Sequence, residues 1–306
     1  MARTVRDAAL LFGVLEGRSP DPNDTATNRC TPPPGGDYTR FLRAGGLKGA
    51  RIGIPRAFYY EPGPNTDVTR GGLDPAQTAA MADAIAVLTA QGAVIVDPAD
   101  VPSLVAANRD DNFLAWGACS GAPDARGSDS GCSIVLKYGM KRDFNAWLRS
   151  LGPSAPVKTL TELRDWNAAH RNAGAIKFGQ AALDISDEVD LDADRARYEA
   201  DRAKDLRLTA AEGIDAVMKR ERLDALLFPG GSGAGLAARP GYPSVIVPMA
   251  LVPNAPTPPF AAEFEPKPQP YGVTFTGLAC SEPRLIELAY AFEQATRRRV
   301  TPPGAP

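Results

Sequence analysis

The residues in this sequence whose types and spacing could do chemistry begin with a serine among glycines. PGGSGAG (229–235) follows the apolar run DALLF (224–228), so it falls at the C-terminal end of a predicted strand, where open α/β sheets place ligands. Three readings compete for it. A phosphate cradle would need a Gly-Lys-Ser/Thr ending or the GxGxxG order, and this stretch has neither. A nucleophile elbow would need Gly-x-Ser-x-Gly; Gly230-Gly231-Ser232-Gly233-Ala234 comes near, with the last glycine displaced by one. The third reading, which the spacing favours, is a turn whose glycines answer backbone needs, with pocket lining as its functional remainder.

A serine nucleophile also needs a base. His170 is the sole histidine, and Asp165, five residues earlier on the same predicted helix, diverges from it by about 140° on the 3.6-residue period. A solvated or capping histidine follows. A lysine serves instead if burial lowers its pKa, but the eight lysines (48, 137, 141, 158, 177, 204, 219 and 267) read as lying mostly on polar helical faces or loops, with none evidently buried beside a serine pair. The four cysteines, Cys30, Cys119, Cys132 and Cys280, have no CxxC spacing, and one histidine leaves too few ligands for a zinc site. No metal and no cofactor are expected. Cys119 and Cys132 bracket CSGAPDARGSDSGC, a loop flexible enough to close a disulfide in an oxidising compartment; two free thiols in a cytosolic protein is the competing reading.

The elements that must position these residues belong to a globular chain. Its 306 residues are 44% apolar, ample for a sizeable core in two average domains or one large α/β domain. With 34 basic and 36 acidic residues the net charge is −2, so no long-range field draws in nucleic acid or an anionic membrane. Apolar runs stop far short of the roughly 20 residues that span a bilayer. A soluble, by default cytoplasmic setting and a small-molecule or peptide partner are expected; oligomeric state is left open.

β-type runs and helical patterns alternate, with no internal repeat. LKGARIGIPR (47–56) and GAVIVDP (92–98) are predicted strands around a helix over 75–91, with Met81, Ile85 and Leu88 on one face, a βαβ-like unit. Residues 100–222 are helical and more polar, an insert with capping boxes at Thr159/Glu162 and Thr209/Glu212. Strands return at 224–230, 244–252 and 271–278, and SVIVPMALV (244–252), apolar at nearly every position, reads as a strand covered on both faces. Pro283 falls in the first turn of a last helix starting at Ser281, which buries Leu285, Leu288, Ala289 and Phe292. Residues 253–270 hold seven prolines in 18 positions and are predicted to be an extended surface loop.

MARTVRDAALLFGVLEG, at the start, carries an apolar stripe at Val5, Ala8, Ala9, Phe12 and Leu15. Asp7 interrupts the run and Glu16-Gly17-Arg18 is a poor cleavage site, which argues against a signal peptide. A well-patterned helix where termini usually fray hints at structure before it; the competing reading, which this stretch alone favours, is a domain that simply begins with a helix.

MARTVRDAALL closely resembles the segment that follows the catalytic core in amidase signature enzymes, where an interior GPMARTV-x-DAALL precedes a DP-x-D turn, matched here by Asp21-Pro22-Asn23-Asp24. LKGARIGIPR, GIDA…LDALLFP, Gly241-Tyr242-Pro243-Ser244 with Val247-Pro248, GVTFTG and SEPRLIELAYAFEQAT then run collinear with that family. The resemblance implies an α/β fold, part of a large mixed β-sheet covered by helices on both faces, with its N-terminal part missing. It implies hydrolysis of a carbon–nitrogen bond in a small-molecule or peptide amide, by a serine, a second serine on a cis peptide bond, and a lysine acting as base through it. In the family those groups lie before the MARTV segment. No catalytic residue is carried over, and the chain is expected to be a C-terminal portion, inactive alone; the alternative is a non-catalytic remnant or a binding subunit that contributes to a pocket. Phe228, Gly230, Ser232 and Tyr242 are the substrate-pocket candidates, by their place at strand ends. Two corollaries follow. Uncovered strand edges favour poor solubility, and an exported parent would favour the Cys119–Cys132 disulfide.

Overall fold

The computed structural model describes residues 1–17, 19–63, 71–119, 129–255 and 259–301. The chain divides into two units, Met1–Ala107 with Thr209–Pro306, and Asn108–Leu208. In chain order the elements are α1 (Val5–Glu16), β1 (Arg51–Gly53), α2 (Pro75–Ala90), β2 (Val94–Val96) and the single turn α3 (Pro102–Val105) of the first unit. The second unit holds β3 (Gly117–Ala118), β4 (Cys132–Ser133), α4 (Val135–Ser150), α5 (Leu160–Ala169), α6 (Ala181–Asp187) and α7 (Arg195–Leu206). The first unit resumes with α8 (Asp215–Glu221), β5 (Ala225–Pro229), α9 (Ala234–Ala238), β6 (Ser244–Val252), β7 (Gln269–Thr276) and α10 (Glu282–Thr296).

The first unit is built on a mixed five-stranded sheet in the order β2-β1-β5-β7-β6, flanked by helices. β1 runs parallel to β2 and β5, whereas β7 lies antiparallel between β5 and β6. The β1–α2–β2 crossover is the expected βαβ unit. Asp74 caps α2 through a reciprocal pair of bonds with Gln77, and Met81 and Leu88 go into the core. Every residue of β5 is buried, as its central place requires.

β6 departs from expectation. Among the described residues it is an edge strand paired with β7 alone, and Ile246 and Leu251 remain 56% and 54% exposed. Hydropathy reports what a strand could bury, whereas sheet order decides what it does bury. The stripe of α1 is corrected in the same way: Val5 and Ala9 are buried, but Leu15 is 74% exposed. Thr4 caps this helix, its hydroxyl accepting the N–H of Asp7.

The second unit holds four helices and the short parallel pair β3/β4; α4 packs against α5, α6 and α7, and α7 meets β4. Its apolar cluster is small: Cys119, Ile134, Tyr138 and Val189, with Cys132, Leu191 and Tyr198 against them. Thr159 caps α5 as expected, accepting from the N–H of Glu162. Thr209, where the first unit resumes, does not start a helix; it lies fully buried inside a π-helical stretch, Arg207–Ile214, with the non-helical Gly213 near its end. Among the described residues no helix is long and apolar enough to cross a membrane. Residues 120–128 of the Cys119–Cys132 loop, and 256–258 of the proline-rich loop, lie outside the described residues.

Candidate functional site

The glycine turn after β5 is explained by its backbone. Gly230 sits at φ +54°, its N–H donates to the Gly272 carbonyl (2.9 Å), and its own carbonyl accepts the Thr274 hydroxyl (2.5 Å). A Cβ on Gly233 would stand 2.5 Å from the Phe228 ring, so that position tolerates no side chain. Ser232 is exposed, its N–H donating to the Pro229 carbonyl at 3.1 Å to close the turn. Phe228 itself is fully buried, edge-on to Tyr59 with ring centroids 4.7 Å apart. It shapes the end of β5 from within the core.

Beside the sheet edge lies a groove of about 710 Å³. Its walls are the first turns of α1, the Gly241–Pro243 turn, the start of β6, the Pro270–Gly272 end of β7, and one side of α10. Of the four pocket candidates, Tyr242 lines this groove; Phe228, Gly230 and Ser232 do not. The Tyr242 hydroxyl donates to the Asp215 carboxylate at 2.7 Å. Burial, then that hydrogen bond, pushes its pKa up to about 12, so near neutral pH the phenol keeps its proton.

Tyr271 completes this wall and was not among the residues singled out from the sequence. Its ring edge lies 3.3 Å from where a Gly230 Cβ would stand, which joins the groove to the glycine turn. Burial raises its pKa to about 12. The available signal was its position as the first residue of a predicted strand, opposite the end of β5. Ser244 and Thr276, cross-strand partners on β6 and β7, share a hydroxyl–hydroxyl hydrogen bond of 2.8 Å. Glu282 and Glu293 of α10 bring carboxylates to the groove. Burial raises the pKa of Glu282, and Glu293 accepts the N–H of Val5 at 2.8 Å.

The other candidates for catalytic work are committed elsewhere. His170 is exposed at the end of α5, stacked on Trp166 at 3.9 Å, with Nδ1 against the Trp166 carbonyl at 2.8 Å. Asp165 is exposed as well. Lys137 corrects the reading of the lysines, since it is buried; its ammonium sits between Asp129 (2.6 Å) and Glu188 (3.3 Å). Lys141 donates to the carbonyls of Asp187 and Val189 at 2.6 and 2.7 Å, satisfying groups left open at the end of α6. All four cysteines are paired, Cys119 with Cys132 and Cys30 with Cys280. The second pairing, across 250 residues, left no mark in the local sequence.

No family model matches the chain. In sequence it is 28% identical to a probable amidase of Arabidopsis thaliana, over 99% of this chain and 49% of that protein. It is 29% identical to a putative amidase of Arthroderma benhamiae, over 98% of this chain and 46% of that one. In structure it aligns with the native peptide amidase of Stenotrophomonas maltophilia at a TM-score of 0.69 and 30% identity, over 98% of this chain and 53% of that chain. The chain thus spans about half the length of the curated relatives it matches.

Proposed function

We propose that this chain, related to the amidases along nearly its whole length, serves the hydrolysis of a carbon–nitrogen amide bond and supplies substrate-holding wall rather than the groups that cleave. The observation that carries the reading is this collinear likeness, at 30% identity and a TM-score of 0.69 to a peptide amidase. The substrate class is a carboxamide, free or at a peptide C-terminus. Amide hydrolysis needs a nucleophile at the carbonyl carbon, N–H donors for the oxyanion, and a proton for the departing amine. In this reading Tyr242 and Tyr271 are neutral phenols that pack against the substrate, and Phe228, Gly230 and Ser232 shape the β5 end beneath them.

The exposed setting of Ser232 outside the groove, the stacking of His170 on Trp166 and the ion pairs of Lys137 support a division of labour in which the nucleophile and its base come from sequence other than these 306 residues. They also favour a second reading, a binding subunit that contributes a pocket wall without catalysis. Ammonia release from a panel of carboxamides and peptide amides tests both, with the 306 residues assayed alone and within the longest reading frame that contains them. Turnover in the longer product alone is the expected result, and it should survive Ser232→Ala in that setting. No turnover in either leaves the binding-subunit reading. Turnover by the 306 residues that Ser232→Ala abolishes overturns the division and places the nucleophile at the glycine turn.

A further inference from the structure

Cys280 of the Cys30–Cys280 disulfide stands two residues before Glu282, which lines the groove, and the bond fastens a segment with few other attachments among the described residues. Ser19–Arg29 is exposed at every residue. Its short helical turn, Thr25–Asn28, is closed by hydrogen bonds within the segment: Asp24 caps Ala26, and the Thr27 hydroxyl accepts the N–H of Asp21. Toward the rest of the first unit two links stand out, the disulfide and the Arg29 guanidinium donating to the Pro240 carbonyl at 2.8 Å. Pro240 leads directly into Gly241-Tyr242-Pro243, a wall of the groove, and the Pro243 carbonyl accepts the N–H of Gly277 at 3.2 Å, three residues before Cys280. Cys280 is exposed and held at φ +62°, in the left-handed region that a residue with a side chain adopts only when its surroundings impose it.

The elements around this clasp are secured independently. Val5 is bonded to Glu293, the Tyr38 hydroxyl donates to Glu16 at 2.6 Å, and β5, β7 and α10 are buried around Phe275 and Phe292. Opening the disulfide therefore frees a loop and removes the Arg29 support from one wall of the groove, which keeps its bonds to Asp215 and Gly277, without dissolving the sheet. We propose that Cys30–Cys280 is a redox latch on the groove: intact, it holds Arg29 against Pro240 and fixes the Tyr242 wall, and when a dithiol reduces it the 19–29 segment leaves and that wall loosens. The chemistry balances without a further reactant. A thiolate of the dithiol attacks one sulfur to give a mixed disulfide, and its second thiol displaces the other. Two cysteine thiols appear on the chain, and the dithiol, having given up two electrons and two protons, becomes a cyclic disulfide. Exposure at Cys280 gives the attacking thiolate its path, whereas Cys119 is buried in the apolar cluster of the second unit and Cys132, half-buried, packs against it.

Hydrogen exchange followed by mass spectrometry tests the latch on the purified chain, with dithiothreitol as reductant and maleimide mapping to show which disulfide has opened. Reduction of Cys30–Cys280 is expected to speed exchange in peptides covering 19–30 and 236–243 by tenfold or more. Peptides from β5 and β7 should be unchanged, and reoxidation should restore the slow rates. Cys30→Ser with Cys280→Ser should show the fast rates without reductant and no response to it. Equal rates in the reduced and oxidised chain overturn the proposal. So does acceleration of β5 and β7 along with the rim, which would make the bond a staple of the whole unit. If the double variant fails to fold, the reduced and reoxidised wild-type chain decides alone.

Discussion

The two units of this chain are held together by different physics. In the first, a central strand buried at all five positions pairs with β7, whose Phe275 meets Phe292 of α10, and stability comes from apolar area removed from water, which is large and non-directional. In the second the apolar cluster is small, and directional bonds do more of the work. Asp205, buried, accepts the Trp116 indole N–H and the Ser133 hydroxyl, each at 2.9 Å, and Asp201 accepts the N–H of Ile134 at 3.0 Å. A region organised by area tolerates small polar changes and suffers from cavities; one organised by hydrogen bonds and a short covalent loop fails at single atoms. The groove belongs to the first kind, and the buried lysine, acid and disulfide of the second unit hold that unit's own helices and strands.

The sharpest way to break that contrast is to open a cavity in the first unit. Phe228→Ala removes a fully buried ring that meets Tyr59 and fills the space Gly233 leaves open, and should cost about 4 kcal/mol. Urea denaturation at constant m-value checks it; a loss under about 1 kcal/mol would mean that the core around β5 repacks freely. Next comes the covalent loop of the second unit. Cys119→Ser with Cys132→Ser releases a link across 13 residues and should cost about 3 kcal/mol by loop-closure entropy, read as faster amide exchange in β3, β4 and α4. Third, Asp205→Ala strands two buried donors at once and should cost about 2 kcal/mol. Asp205→Asn, which keeps an acceptor, should recover part of that loss. If Asp205→Ala proves neutral, the polar account of the second unit is wrong.

How much of this was legible in the sequence follows the same division. The βαβ crossover, the strands over 224–230 and 271–278 and the last helix were visible because apolar periodicity records burial by neighbours close in the chain. The edge position of β6, the exposed side of Leu15 and the π-helical setting of Thr209 were not, since each depends on which distant element arrives to cover it. The site shows the same limit. Tyr242 could be picked out at a strand end, but its bond to Asp215, 27 residues away, could not, and Tyr271 looked like an ordinary strand residue. Lys137 looked solvated because Asp129 and Glu188 reach it from eight and 51 residues away. The Cys30–Cys280 pair, at a separation of 250, was illegible altogether.

The smallest effect sharpens the contrast through pH. Asp187 closes α6 and meets Arg164 (2.6 Å), the Thr161 hydroxyl (2.9 Å) and, at 3.5 Å, the Lys141 ammonium. Burial alone would raise its pKa, but the Arg164 and Thr161 hydrogen bonds and the Lys141 charge outweigh it and hold the carboxyl below its ordinary value. A carboxylate depressed in the folded state contributes stability that is fully present above its unfolded pKa of about 4 and is lost as pH falls through the lower folded value. From pH 5 downward, exchange protection in α5 and α6 should therefore decline. The decline should be shallower in Asp187→Asn, which has no proton to gain there, and the difference between the two profiles isolates this residue from the other carboxylates. Protection of β5 and β7 should show no dependence on that substitution. Identical profiles for the two chains would mean that the Arg164–Asp187 pair contributes nothing measurable, as many partly exposed ion pairs do, and the second unit would then rest on Asp201, Asp205 and its disulfide.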